Sequence, residues 1–397
     1  MNNYSPSARI RSVQSPVISL MGSLIGRYPG TIPLGQGMVG YPPPPQALQL
    51  AQDAIQRGDM HTYQNTAGLP ALRQAFRAKL IRENGLLDPQ EETVVMVTAG
   101  SNMGFHHVIQ AVADPGEEII LLTPFYFNHE MAVRIAGCRP VPVDTDSYFQ
   151  PDPENILHRI TARTRAIVTI SPNNPTGAVY PEGLLREINE LCGRRGLYHI
   201  HDEAYEHFLY EDTVHTSPLS FGGNLSYTIG LHSLSKSYGM AGWRIGFLTI
   251  PKHLEAFILK IQDTVLICPP ILSQHLALGA LQAGSDYCRS FLPGLAETRM
   301  LFLQALQHVD FLRTLAVPQG AFYFLIQPRI SMDSLPCAQR LVREFSVGVI
   351  PGKAFGCLDC ALRISFGSTP KDLALEGLQR LITGLSMMAS RGANNRR

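Results

Sequence analysis

Seven short runs rich in Val, Ile and Leu constrain this chain more than any other feature. They fall at 93–98, 118–122, 140–143, 166–170, 198–201, 227–231 and 245–250, mostly separated by helical patterns. Each is continuously apolar instead of alternating, so each strand is expected to be covered on both faces. Strands of that kind, joined through helices, predict a mostly parallel seven-stranded sheet in a large α/β domain. Ligands of such sheets gather at the carboxyl ends of the strands, so the residues that follow each run come first in a search for chemistry.

The large domain is expected over 46–283, opening with helices at 46–58 and 69–84. Beyond it the pattern changes to a long helix at 284–309, strands at 321–326 and 362–366, and a closing helix at 370–388. This reads as a smaller α+β domain over 284–397, joined by an N-terminal arm over 1–45. The arm contains Gly35, Gly37 and Gly40, spaced as G-x-G-x-x-G. A dinucleotide fingerprint needs a helix to open within that spacing, and the prolines Pro42 to Pro45 that follow forbid one there. The glycines therefore mark either a loop whose backbone approaches a ligand or a plain turn.

Composition removes several function classes. The 397 residues carry 33 basic and 32 acidic groups, a net charge of +1, with only a short basic tail after Arg391. That balance predicts neither a nucleic-acid partner nor a membrane surface. The apolar pieces near 17–25 are interrupted by Ser19, Gly22 and Ser23, which argues against a signal-peptide core, and no stretch reaches the length of a membrane span. Seven scattered cysteines suggest reduced thiols and a cytoplasmic location. Cys357 and Cys360 form the one close pair, without the second pair that a zinc site would need.

Several strand ends carry unusual residues. After the first run, Gly100-Ser101-Asn102 opens a helix, either as a phosphate seat or as an ordinary cap. After the second, Phe125, Tyr126, Phe127 and His129 offer rings for stacking or for core packing. After the fourth, Asn173-Asn174-Pro175-Thr176-Gly177 forms a stiff turn that fixes amide side chains. After the fifth comes Asp202-Glu203-Ala204-Tyr205, with an acid at the end of a buried run, where an unpaired charge is costly. A metal among His199, His201, Asp202, Glu203 and His207 was weighed, but His199 and Asp202 face opposite ways on a strand. After the sixth, Lys236 sits among Ser233, Ser235, Ser237, Gly239 and Gly242, with Arg244 eight residues on. A lysine beside a fixed cation is pushed toward its neutral, nucleophilic amine; the plain alternative is a solvated loop lysine.

Taken together, these motifs resemble the class I/II aminotransferases, enzymes of fold type I that use pyridoxal 5′-phosphate. The resemblance runs from Gly35 to Arg363 and ends on Arg363-Ile364-Ser365-Phe366. It implies that Lys236 holds the cofactor as a Schiff base and then moves a proton between the substrate Cα and the cofactor. Asp202 would pair with the ring nitrogen, and Tyr205 and Asn174 would bond the ring oxygen. Tyr126 and Ala204 would cover the ring faces, while Ser101, Asn102, Ser233, Ser235 and Arg244 would hold the phosphate. Arg363, helped by the backbone of Gly35 and by Asn174, would bind the substrate carboxylate. Tyr63 would reach the phosphate in a neighbouring subunit, which implies a homodimer with shared sites. His129 lies where some members of the family have a histidine against the aspartate; a packed loop histidine is the other reading.

The implied reaction is a ping-pong exchange of an amino group between an amino acid and a 2-oxo acid. The stretch Leu34-Gly35-Gln36-Gly37 resembles the opening of kynurenine and glutamine transaminases, although Tyr41 and the proline run depart from it. With no second carboxylate-binding arginine identifiable, a neutral, apolar or aromatic donor is expected. A carbon–sulfur β-lyase or a biosynthetic cyclase would use the same lysine and aspartate. A ligand sensor attached to a DNA-binding regulator is a further alternative, against which the absence of a basic N-terminal helix argues.

Overall fold

The computed structural model describes residues 4–88, 91–313 and 315–394, with side chains described as far as Ser390. The tail side chains from Arg391 onward lie outside that description. All seven expected strands form. They are β1 (Thr93–Thr98), β2 (Glu118–Thr123), β3 (Arg139–Asp144), β4 (Thr164–Ile170), β5 (Tyr198–Asp202), β6 (Thr228–Ser233) and β7 (Gly246–Pro251). They make one sheet in the order β1-β7-β6-β5-β4-β2-β3. Every neighbouring pair is parallel except those involving β7, which runs antiparallel to both β6 and β1. Between Ser233 and Gly246 the chain turns back at the same sheet edge instead of crossing a face, so β7 starts where β6 ends.

The apolar runs read correctly because most strands are covered on both sides. In β1, Met96 packs under the helices Ser101–Val112 and Glu255–Leu266, while its neighbour Val97 faces the opposite layer of Phe76, Phe247 and Leu276. That second layer is built by the helices Pro45–Arg57, Pro70–Glu83 and Ile271–Ala283. Under β2 and β4 it is continued by the helix Glu182–Arg195 through Leu185, Ile188 and Leu191. The exception is β3, at the sheet edge, where Val141 and Val143 are buried while Arg139, Pro142 and Asp144 are exposed. Pro142 is tolerated there because an edge strand leaves one row of backbone groups unpaired.

The C-terminal part forms a second, antiparallel sheet of β8 (Tyr323–Ile326), β9 (Ile350–Pro351) and β10 (Leu362–Ser365), in the order β9-β10-β8. The N-terminal segment joins it, since Ile32–Pro33 pairs with Val347–Gly348 and Val17 and Met21 enter the same core. One expectation fails. The long helix at 284–309 is two helices, Asp286–Arg289 and Leu292–Leu306. Pro293 lies in the first turn of the second. It lacks an amide hydrogen and its ring clashes with the preceding turn, so the helix restarts instead of running through.

Phe247 on β7 is fully buried and stacks on Phe76, with ring centroids 3.8 Å apart and 6° between the planes. Phe247→Ala is expected to cost about 3–5 kcal/mol of stability, through lost burial plus a cavity between two rigid layers. A urea unfolding curve measures this; a midpoint unchanged from the parent would show that the layer collapses to fill the space.

Candidate active site

The carboxyl ends of β1, β2, β4, β5 and β6 lie on one edge of the sheet and carry the residues singled out in the sequence. The helix Ser101–Val112 starts directly after β1 and points its first amides at this edge. Gly100, at φ +86°, makes the turn possible: a Cβ there would lie 2.5 Å from Arg244 Nη2. Ser233 ends β6 and caps the turn Leu234–Ser237, accepting a hydrogen bond from the Ser235 amide at 3.2 Å. That turn presents Lys236.

Of the residues assigned to a cofactor from sequence, all but Tyr63 line one cavity of about 140 Å³, and Ile170 completes the lining. Tyr63 is 79 % exposed and lies outside the cavity. Asp202 is buried, with Oδ1 accepting from the Ala204 amide at 3.0 Å and Oδ2 lying 3.2 Å from His129 Nε2. His129 is itself held by stacking on Phe105, with centroids 4.0 Å apart. Of its two sequence readings, the structure therefore places His129 against the aspartate. Asn128, which the sequence left unassigned, donates to Tyr126 Oη at 2.9 Å.

The histidines weighed as metal ligands point elsewhere. His199 and His201 share the Thr169 hydroxyl at 2.8 and 2.6 Å, on the face of β5 opposite Asp202. Glu203 accepts from Ser217, His215 and Asn84 at 2.7, 2.8 and 2.9 Å. Glu203, Glu206 and His215 come within 4.8 Å of one another. Among them Lys79 Nζ bonds Glu206 and, at 2.7 Å, the Asn84 amide oxygen.

Arg363 is brought in from the small domain by β10 and is 2 % exposed. Nη1 donates to Asn174 Oδ1 at 2.8 Å and Nη2 to the Gly35 carbonyl at 2.7 Å, while Nε is buried with no hydrogen-bond partner among the described residues. The Gly35 to Gly37 backbone approaches the site, as expected: Lys236 Nζ donates to the Gly37 carbonyl. Tyr323, which the sequence did not single out, places its hydroxyl 2.7 Å from that of Tyr205. The available signal was a phenol inside a strand of otherwise apolar residues, since a buried hydroxyl requires a partner.

A larger open groove of about 880 Å³ runs past Tyr148, Val214, Arg299 and Val317. Its one buried cation, Arg299, is already engaged by the Pro318 carbonyl and by Glu211. The smaller cavity collects the lysine, the acid and the phenols, and the chemistry is assigned there.

Residues 29–381 match the family described as Aminotransferase class I and II. The chain belongs to the class I and II aminotransferases. It is 31% identical over 396 residues to the aromatic aminotransferase ISS1 of Arabidopsis thaliana, covering 97% of this chain and 98% of that protein. It is 34% identical over 362 residues to an aspartate/prephenate aminotransferase of Thermus thermophilus, covering 88% and 91%. Among solved structures, it resembles the Thermus thermophilus aspartate aminotransferase with maleate at a TM-score of 0.87 and 31% identity, covering 96% of this chain and 100% of that one. A Pyrococcus structure titled protein-A1 matches at a TM-score of 0.90 and 30% identity, covering 96% and 98%. The chain is accordingly an enzyme of the aminotransferase class, with the α/β architecture of that class. Among the described residues, no helix is long and apolar enough to cross a membrane.

In this aminotransferase, burial and the positive charges of Arg363 and Arg244 lower the Lys236 pKa to about 8, against a smaller opposing pull from Asp202. At pH 7 roughly one amine in ten is then neutral, several hundred times the fraction in an ordinary lysine. Labelling of Lys236 in the cofactor-free protein by a small aldehyde with reductive trapping, followed by mass spectrometry, should rise with pH through a midpoint near 8. A midpoint at the ordinary lysine value would mean that neither burial nor the arginines act on it.

Proposed function

We propose that this aminotransferase uses pyridoxal 5′-phosphate to move an amino group from a neutral, apolar or aromatic amino acid to a 2-oxo acid, in ping-pong order. The observation that carries this reading is a lysine of lowered pKa sharing one small cavity with a buried aspartate, beside a buried arginine with one unpartnered nitrogen.

The residues present fit the cofactor. Ser101, Asn102, Ser233, Ser235 and Arg244 combine hydroxyls, a helix N-terminus and a guanidinium, the donors that a phosphate dianion requires. Asp202, oriented by His129 and the Ala204 amide, offers a carboxylate to a protonated ring nitrogen. Tyr205 and Asn174 supply donors for a ring oxygen, and Tyr126 and Ala204 supply surfaces for the ring. When bound, the cofactor supplies an electron-withdrawing ring conjugated to the substrate nitrogen, which acidifies the substrate Cα proton.

The chain's own groups do the rest. Arg363 holds the substrate carboxylate, and its Nε gains the acceptor it lacks. Lys236 Nζ, once the substrate amine has replaced it, takes the proton from Cα; a pKa of about 8 suits a base working near neutral pH. Asp202 would hold its carboxylate against the ring nitrogen, positioned by His129 and the Ala204 amide.

The donor class follows from the charges. Among the described residues lining the cavity, the cations are Lys236 and Arg244, and both have roles; Arg363 takes the α-carboxylate. A second substrate carboxylate would find no further cation among the described residues lining the cavity. Relatives are named for aromatic and for aspartate or prephenate substrates alike, and the charge count favours the former. Tyr63 is exposed, as are Leu48 and Ile55 on the helix before it, and this supports a homodimer in which Tyr63 reaches the partner's phosphate site. Seven free cysteines support a cytoplasmic location.

The test is the visible absorbance of the cofactor-loaded protein, followed as single amino acids are added without an acceptor. A neutral apolar or aromatic amino acid should bleach the band and a 2-oxo acid should restore it. Bleaching by aspartate alone would replace the donor class. Release of pyruvate and ammonia with the band unchanged would favour a β-lyase. Lys236→Ala should lower turnover at least about a thousandfold while the protein still binds cofactor non-covalently, as equilibrium dialysis would report. Tyr63→Phe should weaken cofactor binding about threefold to thirtyfold without altering the Lys236 titration; unchanged affinity in a confirmed dimer would remove Tyr63 from the phosphate site.

A further inference from the structure

Tyr323 is a fully buried phenol on β8, paired across the sheet with Ser365, two residues beyond Arg363 on β10. It makes two contacts that no residue-by-residue comparison of motifs assigns. Its hydroxyl lies 2.7 Å from the Tyr205 hydroxyl, and its ring lies under the Arg363 guanidinium, with Cζ 4.5 Å from the centroid. Phe355 offers Arg363 a second ring at 5.3 Å.

Resting on the cofactor reading above, we propose that Tyr323 is a positioning residue for both ends of the site. Its hydroxyl directs the Tyr205 proton into the cavity, and its ring fixes the plane of Arg363.

The two phenols hold two hydroxyl protons between them. Burial pushes the Tyr323 pKa up to about 12 and that of Tyr205 well above the ordinary tyrosine value, so each phenol keeps its single proton near neutral pH. One O···O link uses one of the two protons. Arg363 Nη1 occupies the Asn174 amide oxygen, which turns Asn174 Nδ2 toward Tyr205 Oη at 3.4 Å. Tyr205 Oη therefore already accepts from Asn174. If Tyr323 also donates, both lone pairs of Tyr205 are filled, and its own hydrogen points toward the cavity it lines. An oxygen that accepts two hydrogen bonds is a stronger donor, which suits a contact with an anionic ring oxygen.

Gly37 makes room for this arrangement. A Cβ at Gly37 would fall 2.7 Å from Tyr323 Oη, so the segment that reaches Lys236 can lie over the phenol only as bare backbone. The ring contact is separable from the hydroxyl, because the face of a phenylalanine stacks on a guanidinium as well.

Tyr323→Phe and Tyr323→Leu in the cofactor-loaded enzyme test the two halves, with Tyr210→Phe as control. Tyr210 is a buried phenol of the same core whose hydroxyl donates to the Ala321 carbonyl and does not line the cavity. Tyr323→Phe should raise the pH midpoint of the visible absorbance change by about 0.5–1 unit, because the anionic ring oxygen loses part of its stabilisation. It should leave the dissociation constant of propionate, a bare carboxylate, within about twofold of the parent. Tyr323→Leu should shift the midpoint similarly and also weaken propionate about threefold to tenfold. Tyr210→Phe should move neither.

An unshifted midpoint in Tyr323→Phe would overturn the proposal for the hydroxyl, as would an equal shift in Tyr210→Phe. Propionate binding unchanged in Tyr323→Leu would overturn it for the ring. Failure of the cofactor reading looks different: the parent protein would show no cofactor-dependent band to titrate.

Discussion

Arg363 is the contact on which the two parts of the molecule depend. A guanidinium that is 2 % exposed cannot shed its charge, so the chain has to supply acceptors wherever it lies. It does so from two directions: Asn174, from the turn after β4 in the large domain, and the Gly35 carbonyl, from the N-terminal segment. The arginine itself comes from the small domain. Three pieces of sequence more than 130 residues apart thus meet at one charge, as the chain separations of 189 and 328 residues across the two hydrogen bonds require. The same positive charge helps to lower the Lys236 pKa, so one buried cation both joins these segments and shifts the lysine beside them toward its neutral amine.

Behind the sheet edge that carries Asp202 and Lys236, a second set of buried charges is balanced internally. Despite the cost of burial, the surrounding His232 and His215 hold the Glu203 carboxyl down to about 2, and Glu206 is held low by Lys79. A buried carboxylate left unpaired would be strongly destabilising, and here each oxygen has a donor. The result is a rigid segment from Asp202 to Glu206. Asp202 and Tyr205 point into the cavity from one side of it, and Glu203 and Glu206 anchor the other. Glu203, the acid next to Asp202, is therefore an anchor, which explains why a sequence cluster of histidines and carboxylates need not be a metal site.

The sheet was legible because parallel strands buried on both faces read as unbroken apolar runs, and because function follows the strand ends in such folds. The residues that line the small cavity were legible for the same reason: each lies within a few residues of a run. The antiparallel direction of β7 was not, since burial on both faces looks the same for either direction. The break at Pro293 was missed although its cause is local, because the apolar periodicity resumes in the same phase after it. Tyr323 and the orientation of Asn174 were beyond reach, as both are fixed by contacts between the small and large domains. A hydroxyl inside an apolar strand announces that it has a partner, but only the packing of β8 and β10 over the sheet edge names Tyr205.

This division has a consequence for how the family varies. The groups suited to the cofactor come almost entirely from one edge of one rigid sheet, whose strands are held by helices on both faces. The groups around Arg363 come largely from other sources: β10, the neighbouring β8, and the backbone of the Gly35 to Gly37 segment. Changes in the small domain or the N-terminal segment can therefore alter what fits beside Arg363 without moving Lys236 or Asp202. Residues such as Tyr323, which touch both sets of groups, are where a change of substrate would also disturb the chemistry.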